Sequence, residues 1–159
     1  MFVKRVALVA SMSLLLVACP DGGQSSGGTT PQSGGGNPAL AGLESSPFMN
    51  EVWMNEQGMQ EPFIFYPREG IRVSARCRTP NGQLACEAIQ YLRFGMPVDL
   101  PRRSLDGRTS AGVKVCMRMS RPITVVRNSV GAEDSMCRFG DGSLVANGAL
   151  ERYSMRVIE

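Results

Sequence analysis

Ile71–Cys86 reads IRVSARCRTPNGQLAC. Ile71, Val73, Ala75 and Cys77 alternate with Arg72, Ser74, Arg76 and Arg78, the period-two pattern of a half-buried strand with arginine pointing outward. Asn81-Gly82 is the favoured pair for a two-residue type I′ turn. That turn sets Cys77 opposite Cys86 in a non-hydrogen-bonded pair, where side chains approach most closely. Pro80 argues for the alternative, a type I turn with a bulge, which shifts the register by one residue. With either turn the chain folds back on itself, and a Cys77–Cys86 disulfide is expected to close it.

The compartment that permits disulfides is read at the other end of the chain. Lys4 and Arg5 precede an apolar run, Val6 to Val17. Twelve helical residues reach only about 18 Å at about 1.5 Å each, short of the ~30 Å hydrocarbon core, so the run reads as an export signal rather than a resting span. It closes with Leu16-Val17-Ala18-Cys19, which resembles the lipobox of bacterial lipoproteins. The resemblance implies diacylglyceryl transfer to the Cys19 thiol, cleavage before it and acylation of the new amine by a palmitate-type chain. Two or more acyl chains convert marginal membrane binding into stable residence. Pro20 stands where such lipoproteins carry an inner-membrane retention aspartate, which tilts the expected location to the outer membrane. Residues 20–45 are rich in Gly, Ser, Thr, Pro and Gln and read as a disordered, flexible tether. Residues 46–159 then suit one small domain, in two parts at 46–104 and 110–157.

With Cys19 acylated, four of the five cysteines remain: Cys77, Cys86, Cys116 and Cys137. An even number in an oxidising compartment reads as a disulfide framework with three connectivities, and Cys77–Cys86 with Cys116–Cys137 is the expected one. Each bridge typically contributes about 2–4 kcal/mol. Ser46 as cap, Pro47 at the first helical position and Gly58 at the exit predict a short helix, with Met49, Val52 and Trp53 on one face. Phe63–Tyr66, fenced by Pro62 and Pro67, predicts an edge strand. Residues 97–112 read as a polar connection, 110–120 as a helix and 123–127 as a strand. A second hairpin is expected around Asp141-Gly142, and 150–157 fits helix or strand. The fold class is α+β: a small disulfide-stapled domain of antiparallel hairpins with one or two short helices. CRTPNGQL at 77–84 recurs as CRFGDGSL at 137–144. The flanks do not match at the same offset, so this reads as two hairpins meeting one local requirement rather than a duplication.

Cys137-Arg138-Phe139-Gly140-Asp141-Gly142-Ser143, with Cys116 in a short helix upstream, resembles a motif of small envelope lipoproteins labelled "putative hemolysin". The resemblance spans residues 110–157 and singles out the Asp141, Gly142, Ser143 turn. Gly140 replaces that family's proline, Val145 stands where a second cysteine often lies, and the later tryptophan is absent. The family label implies no chemistry.

Several function classes are disfavoured. The chain has no histidine, which removes the commonest general base and metal ligand. Lys114 stands four residues after Ser110, not the three of a Ser-x-x-Lys pair. Paired carboxylates at Glu133-Asp134 or Asp141 read as turn residues rather than a glycosidase-like pair. Met117-Arg118-Met119 reads as core filler rather than a thioether copper site. No cofactor and no metal is expected. Lys4 and Arg5 leave with the leader, so 17 basic residues fall to 15 against 14 acidic, a balance unsuited to nucleic acid. Arg72, Arg76 and Arg78 make the expected anion or partner face, since guanidinium forks suit carboxylate and phosphate. The expected function is a non-catalytic cell-envelope lipoprotein, tethered to the membrane by lipid, that binds a protein or an anionic envelope polymer. The alternative is an inhibitor or defensive module against a secreted or lytic enzyme, acting through a protruding loop at 97–108.

Overall fold

The computed structural model describes residues 37–159, so Cys19, the leader and residues 19–36 lie outside the described residues. Strands β1 (Met49–Asn55), β2 (Gln60–Tyr66) and β3 (Ile71–Ser74) come first, followed by helix α1 (Glu87–Phe94) and β4 (Val98–Pro101). Then come α2 (Ala111–Arg118), β5 (Ile123–Arg127), β6 (Glu133–Arg138), β7 (Leu144–Ala146), α3 (Asn147–Tyr153) and β8 (Met155–Ile158). The α+β mixture and the antiparallel pairing are as expected, but the hairpin expected at 71–86 is reduced to one bridge, Arg78 to Leu84, because β3 ends at Ser74 and pairs with β2 and β7. The strands close into a six-stranded barrel in the order β1-β2-β3-β7-β6-β5, and β4 pairs with β8 in parallel outside it.

The barrel separates two apolar clusters. Inside it lie Trp53, Phe63, Val126, Met136, Leu144 and Ala146. The larger core lies where the outer side chains of the sheet, such as Tyr66, Ile71, Val73 and Val145, meet Ile89 and Leu92 of α1 and Leu150 of α3. Leu40 and Leu43, in two 3-10 turns at Pro38–Leu40 and Leu43–Ser45, are buried in the same core, so the folded chain begins before the expected boundary at Ser46. Both disulfides form as expected, Cys77–Cys86 with Cα atoms 5.0 Å apart and Cys116–Cys137 with 5.7 Å. The second ties α2 to the barrel.

Two local expectations fail. Residues 49–55 are a strand, not a helix, paired with β2 over six residue pairs. Gly58 (φ +75°) closes the β1–β2 turn instead of ending a helix, and Asn55 Oδ1 accepts the amides of Gln57 and Met59 inside that turn. The apolar spacing of Met49, Val52 and Trp53 fitted a helix by coincidence of a few residues. Nor is β2 an edge, because a closed barrel has none. Pro62 is tolerated because the β2–β3 ladder begins only at Phe63, so on that side no ladder partner loses a donor.

The turn after Cys77 is the bulged alternative. Gly82 N donates to Thr79 O (2.9 Å), Thr79 N donates to Gln83 O (2.8 Å), and Gly82 sits at φ +84°. The same bonds recur sixty positions on: Gly142 N to Phe139 O (2.9 Å) and Phe139 N to Ser143 O (2.8 Å). Arg78 faces Leu84 as Arg138 faces Leu144. Each turn leads into a helix, α1 or α3, and then into β4 or β8, which pair with each other. The recurrence therefore extends beyond the turn.

Where α2 crosses α3, a Cβ on Gly112 would stand 1.8 Å from the Asn147 carbonyl oxygen. Gly112→Ala forces two backbones apart and is expected to cost about 1–3 kcal/mol or more. Gly148, inside α3, has open space around its Cβ position, and Gly148→Ala is expected to stabilise by roughly 0.4–1 kcal/mol. Thermal denaturation of the two variants checks the pair; similar melting temperatures would show that the crossing is not as tight as described.

Candidate functional site

The three arginines of the first hairpin do not share a face. Alternation ends at Ser74, and a 3-10 turn at Ala75–Cys77 redirects the chain before Arg78. Arg72 points inward, opposite to expectation. Its Nε donates to Glu51 Oε2 on β1 (2.6 Å) and its Nη1 to Asp134 on β6, and neither strand neighbours β3. Only the barrel interior offers that path. The guanidinium also lies 4.5 Å from the Trp53 ring centre and 4.7 Å from that of Phe65. Arg76 donates to the Asp141 carbonyl. Arg78 stacks on Phe48 at 4.5 Å and donates to Tyr66 Oη (3.3 Å) and Glu44 O (3.2 Å). Intramolecular contacts thus occupy Arg72 and Arg78 most fully.

The Asp141, Gly142, Ser143 turn caps α1. Cys86 precedes that helix without a capping side chain. Asp141 Oδ2 accepts the Glu87 amide at 2.8 Å and Ser143 Oγ accepts the Ala88 amide at 3.2 Å. Glu87 Oε2 reciprocates by accepting the Asp141 amide at 3.1 Å. The orphan donors of one helix are satisfied by a turn fifty-four residues away, an N-cap in function though not in chain order. Burial raises the Asp141 carboxyl, but donors from Glu87 and Ser143, with Arg76 nearby, more than offset it and hold the group below the ordinary carboxylate range.

Free positive charge lies elsewhere. The 3-10 turn Arg102–Ser104 follows β4, and α2 ends at Arg118. From Arg102 to Arg121 there are six basic residues and a single acidic one, Asp106. Lys114 is held by Asp106 (2.6 Å) and Arg121 by Glu87, while Arg102 reaches Glu159 only at 3.7 Å with both side chains largely exposed. Arg103, Arg108 and Arg118 are exposed and make no ion pair among the described residues. The count of charge along 102–121 was the signal that marked this face. The Arg72, Arg76, Arg78 alternation drew attention away from it.

The carboxylates considered for catalysis are engaged. Asp134 holds Arg72, Glu133 accepts from Arg127 Nε (3.1 Å), and Asp141 caps α1. A shallow depression between β1 and β5 is lined by Glu56 and Glu133, but Glu56 Oε1 accepts the Val125 amide at 3.2 Å. Among the described residues, the carboxyl groups with resolved shifts are all lowered, the opposite of a general acid at neutral pH. No group of three Cys, Asp or Glu side chains among the described residues is arranged to hold a metal. Comparisons with protein-family models, curated proteins and solved structures found no match.

Burial raises the Glu51 carboxyl, but hydrogen bonds from Arg72 and Trp53 and the Arg72 charge more than offset it and hold the group below its ordinary range. A carboxyl lowered by folding stabilises fully above its unfolded value of about 4, and that stabilisation is lost as pH falls through the lower folded value. Stability is thus expected to stay flat from about pH 5 to 8, where no ordinary side chain of this histidine-free chain titrates, and to fall below about pH 4. Arg72→Met keeps the stem between the rings but leaves two carboxylates unpaired. It is expected to cost about 1–3 kcal/mol at pH 7 and to flatten the acid limb, as read by urea unfolding across pH. Unchanged midpoints would show that the ion cluster contributes nothing.

Proposed function

We propose that this protein is a non-catalytic lipoprotein of the bacterial cell envelope, anchored through Cys19, whose folded domain binds an anionic envelope polymer or surface. The lipobox-like Leu16-Val17-Ala18-Cys19 supports the anchor and Pro20 supports the outer membrane. The likeness of residues 110–157 to the "putative hemolysin" lipoproteins agrees with that location and adds no activity. The observation that carries the binding role is the exposed Arg103 and Arg118, which make no ion pair among the described residues, beside Arg102, held only by an exposed 3.7 Å contact to Glu159. This surface replaces the Arg72, Arg76, Arg78 face as the binding element. Committed carboxylates and the absence of histidine support the non-catalytic reading. The inhibitor alternative has less support, because Val98–Pro101 of its expected loop is locked into β4 against β8.

Two measurements test the two halves of this reading. Radiolabelled palmitate fed to expressing cells is expected to label the chain and to leave Cys19→Ser unlabelled and outside the membrane fraction; equal labelling would remove the anchor. Immobilised polyphosphate is expected to retain the detergent-solubilised chain. The double variant Arg103→Glu/Arg118→Glu should bind roughly tenfold more weakly or worse, a change of about 1.4 kcal/mol. Arg68→Glu/Arg152→Glu, with the same net charge change elsewhere, should bind almost normally. Equal losses in the two pairs would mean that net charge, not this face, governs retention.

A further inference from the structure

We infer that the basic face docks on the headgroups of an anionic bilayer, with Met117 and Ile158 entering the interface beside the arginines. The inference rests on the anionic-binding reading and narrows it to a lipid surface. Two depressions border the Arg102–Ser104 turn: one is lined by Ser104, Lys114, Met117 and Arg118, the other by Arg102, Arg103, Ile158 and Glu159. A large apolar side chain projects in each: Met117, 61% exposed, in the first and Ile158, 40% exposed, in the second.

A dissolved polyanion gains little from a protruding thioether or isoleucine, since both stay in water when it binds. A bilayer interface accommodates both kinds of group. Apolar tips enter the boundary between headgroups and acyl chains, while arginine stems extend along it and place their guanidinium groups among phosphates. Each arginine near an anionic leaflet is expected to strengthen partition roughly fivefold, so Arg102, Arg103 and Arg118 together contribute about a hundredfold. Glu159 offsets part of this, because it lies within the same surface. Salt weakens the arginine contribution over a Debye length of about 8–10 Å and leaves the apolar contribution intact.

The test places a dye where the apolar contact is inferred, so that membrane attachment through any other part of the chain does not supply the signal. Full-length Met117→Cys carrying an environment-sensitive dye is reconstituted in phosphatidylcholine vesicles with and without phosphatidylglycerol. The same dye at Val130→Cys, a position 85% exposed in the β5–β6 turn, serves as the control. The 117 dye should shift to the blue and be quenched by lipid-borne quenchers only in the anionic vesicles. High salt or Arg103→Glu/Arg118→Glu should reverse that response, while the 130 dye stays in water throughout. A 117 dye that remains in water on anionic vesicles overturns the inference. If polyphosphate still retains that protein, the polymer reading stands alone; if it does not, both fall. Insertion that is equal in neutral vesicles would overturn the role given to the arginines.

Discussion

Arg72 crosses the interior of the barrel between Trp53 and Phe65 and reaches carboxylates on two strands that do not neighbour its own. A six-stranded barrel has little room inside, and strands β1 and β5 meet through only two residue pairs. Closure therefore relies on what spans the interior as well as on the ladder. The guanidinium spans it, joining β3 to β1 and β6, and the apolar cluster of Phe63, Val126, Met136 and Leu144 fills the rest. Once the barrel is closed, the outer faces of β2, β3 and β7 become the surface on which the helices pack. The Cys116–Cys137 bridge then holds α2 against that assembly.

Much of this was legible locally and little of it at long range. Both disulfides followed from an even count of cysteines and a hairpin, and α2, β5 and the second hairpin stand close to where their patterns place them. Alternation in Ile71–Ser74 correctly indicated a strand with two unlike faces. It carries no information about which face meets water. Convention assigns arginine to solvent, yet Arg72 finds its carboxylates 21 and 62 residues away in the chain. Met49, Val52 and Trp53 match a helical stripe over too few residues to exclude a strand, whereas the turn at Asn55–Gly58 was the better sign. Helix α1 escaped notice because its N-terminal cap comes from Asp141 and Ser143, not from a neighbouring residue.

The site was legible in charge and illegible in placement. Arginines in an alternating strand attract attention, but Arg72 and Arg78 are consumed by the protein's own carboxylates, rings and carbonyls. The segment from Arg102 to Arg118 has no periodic pattern, and its positive excess is not neutralised within the fold. Sequence separates a charge that builds the protein from one left for a partner only where the balancing residues lie nearby. Lys114 and Asp106 meet that condition; Arg72 and Asp134 do not.

The recurrence at sixty residues has an architectural consequence. Each half contributes a bulged hairpin turn, a helix and a terminal strand, yet β4 and β8 find their hydrogen-bonding partner only in one another. The capping turn of the second half likewise serves the helix of the first. Neither half is self-sufficient, since each completes its cap or its strand pairing with the other. Were the connection between β4 and α2 too short to let one chain's halves meet, two chains would satisfy the same contacts by exchanging them. The connection between β4 and α2 must therefore be long enough for the two halves of one chain to meet.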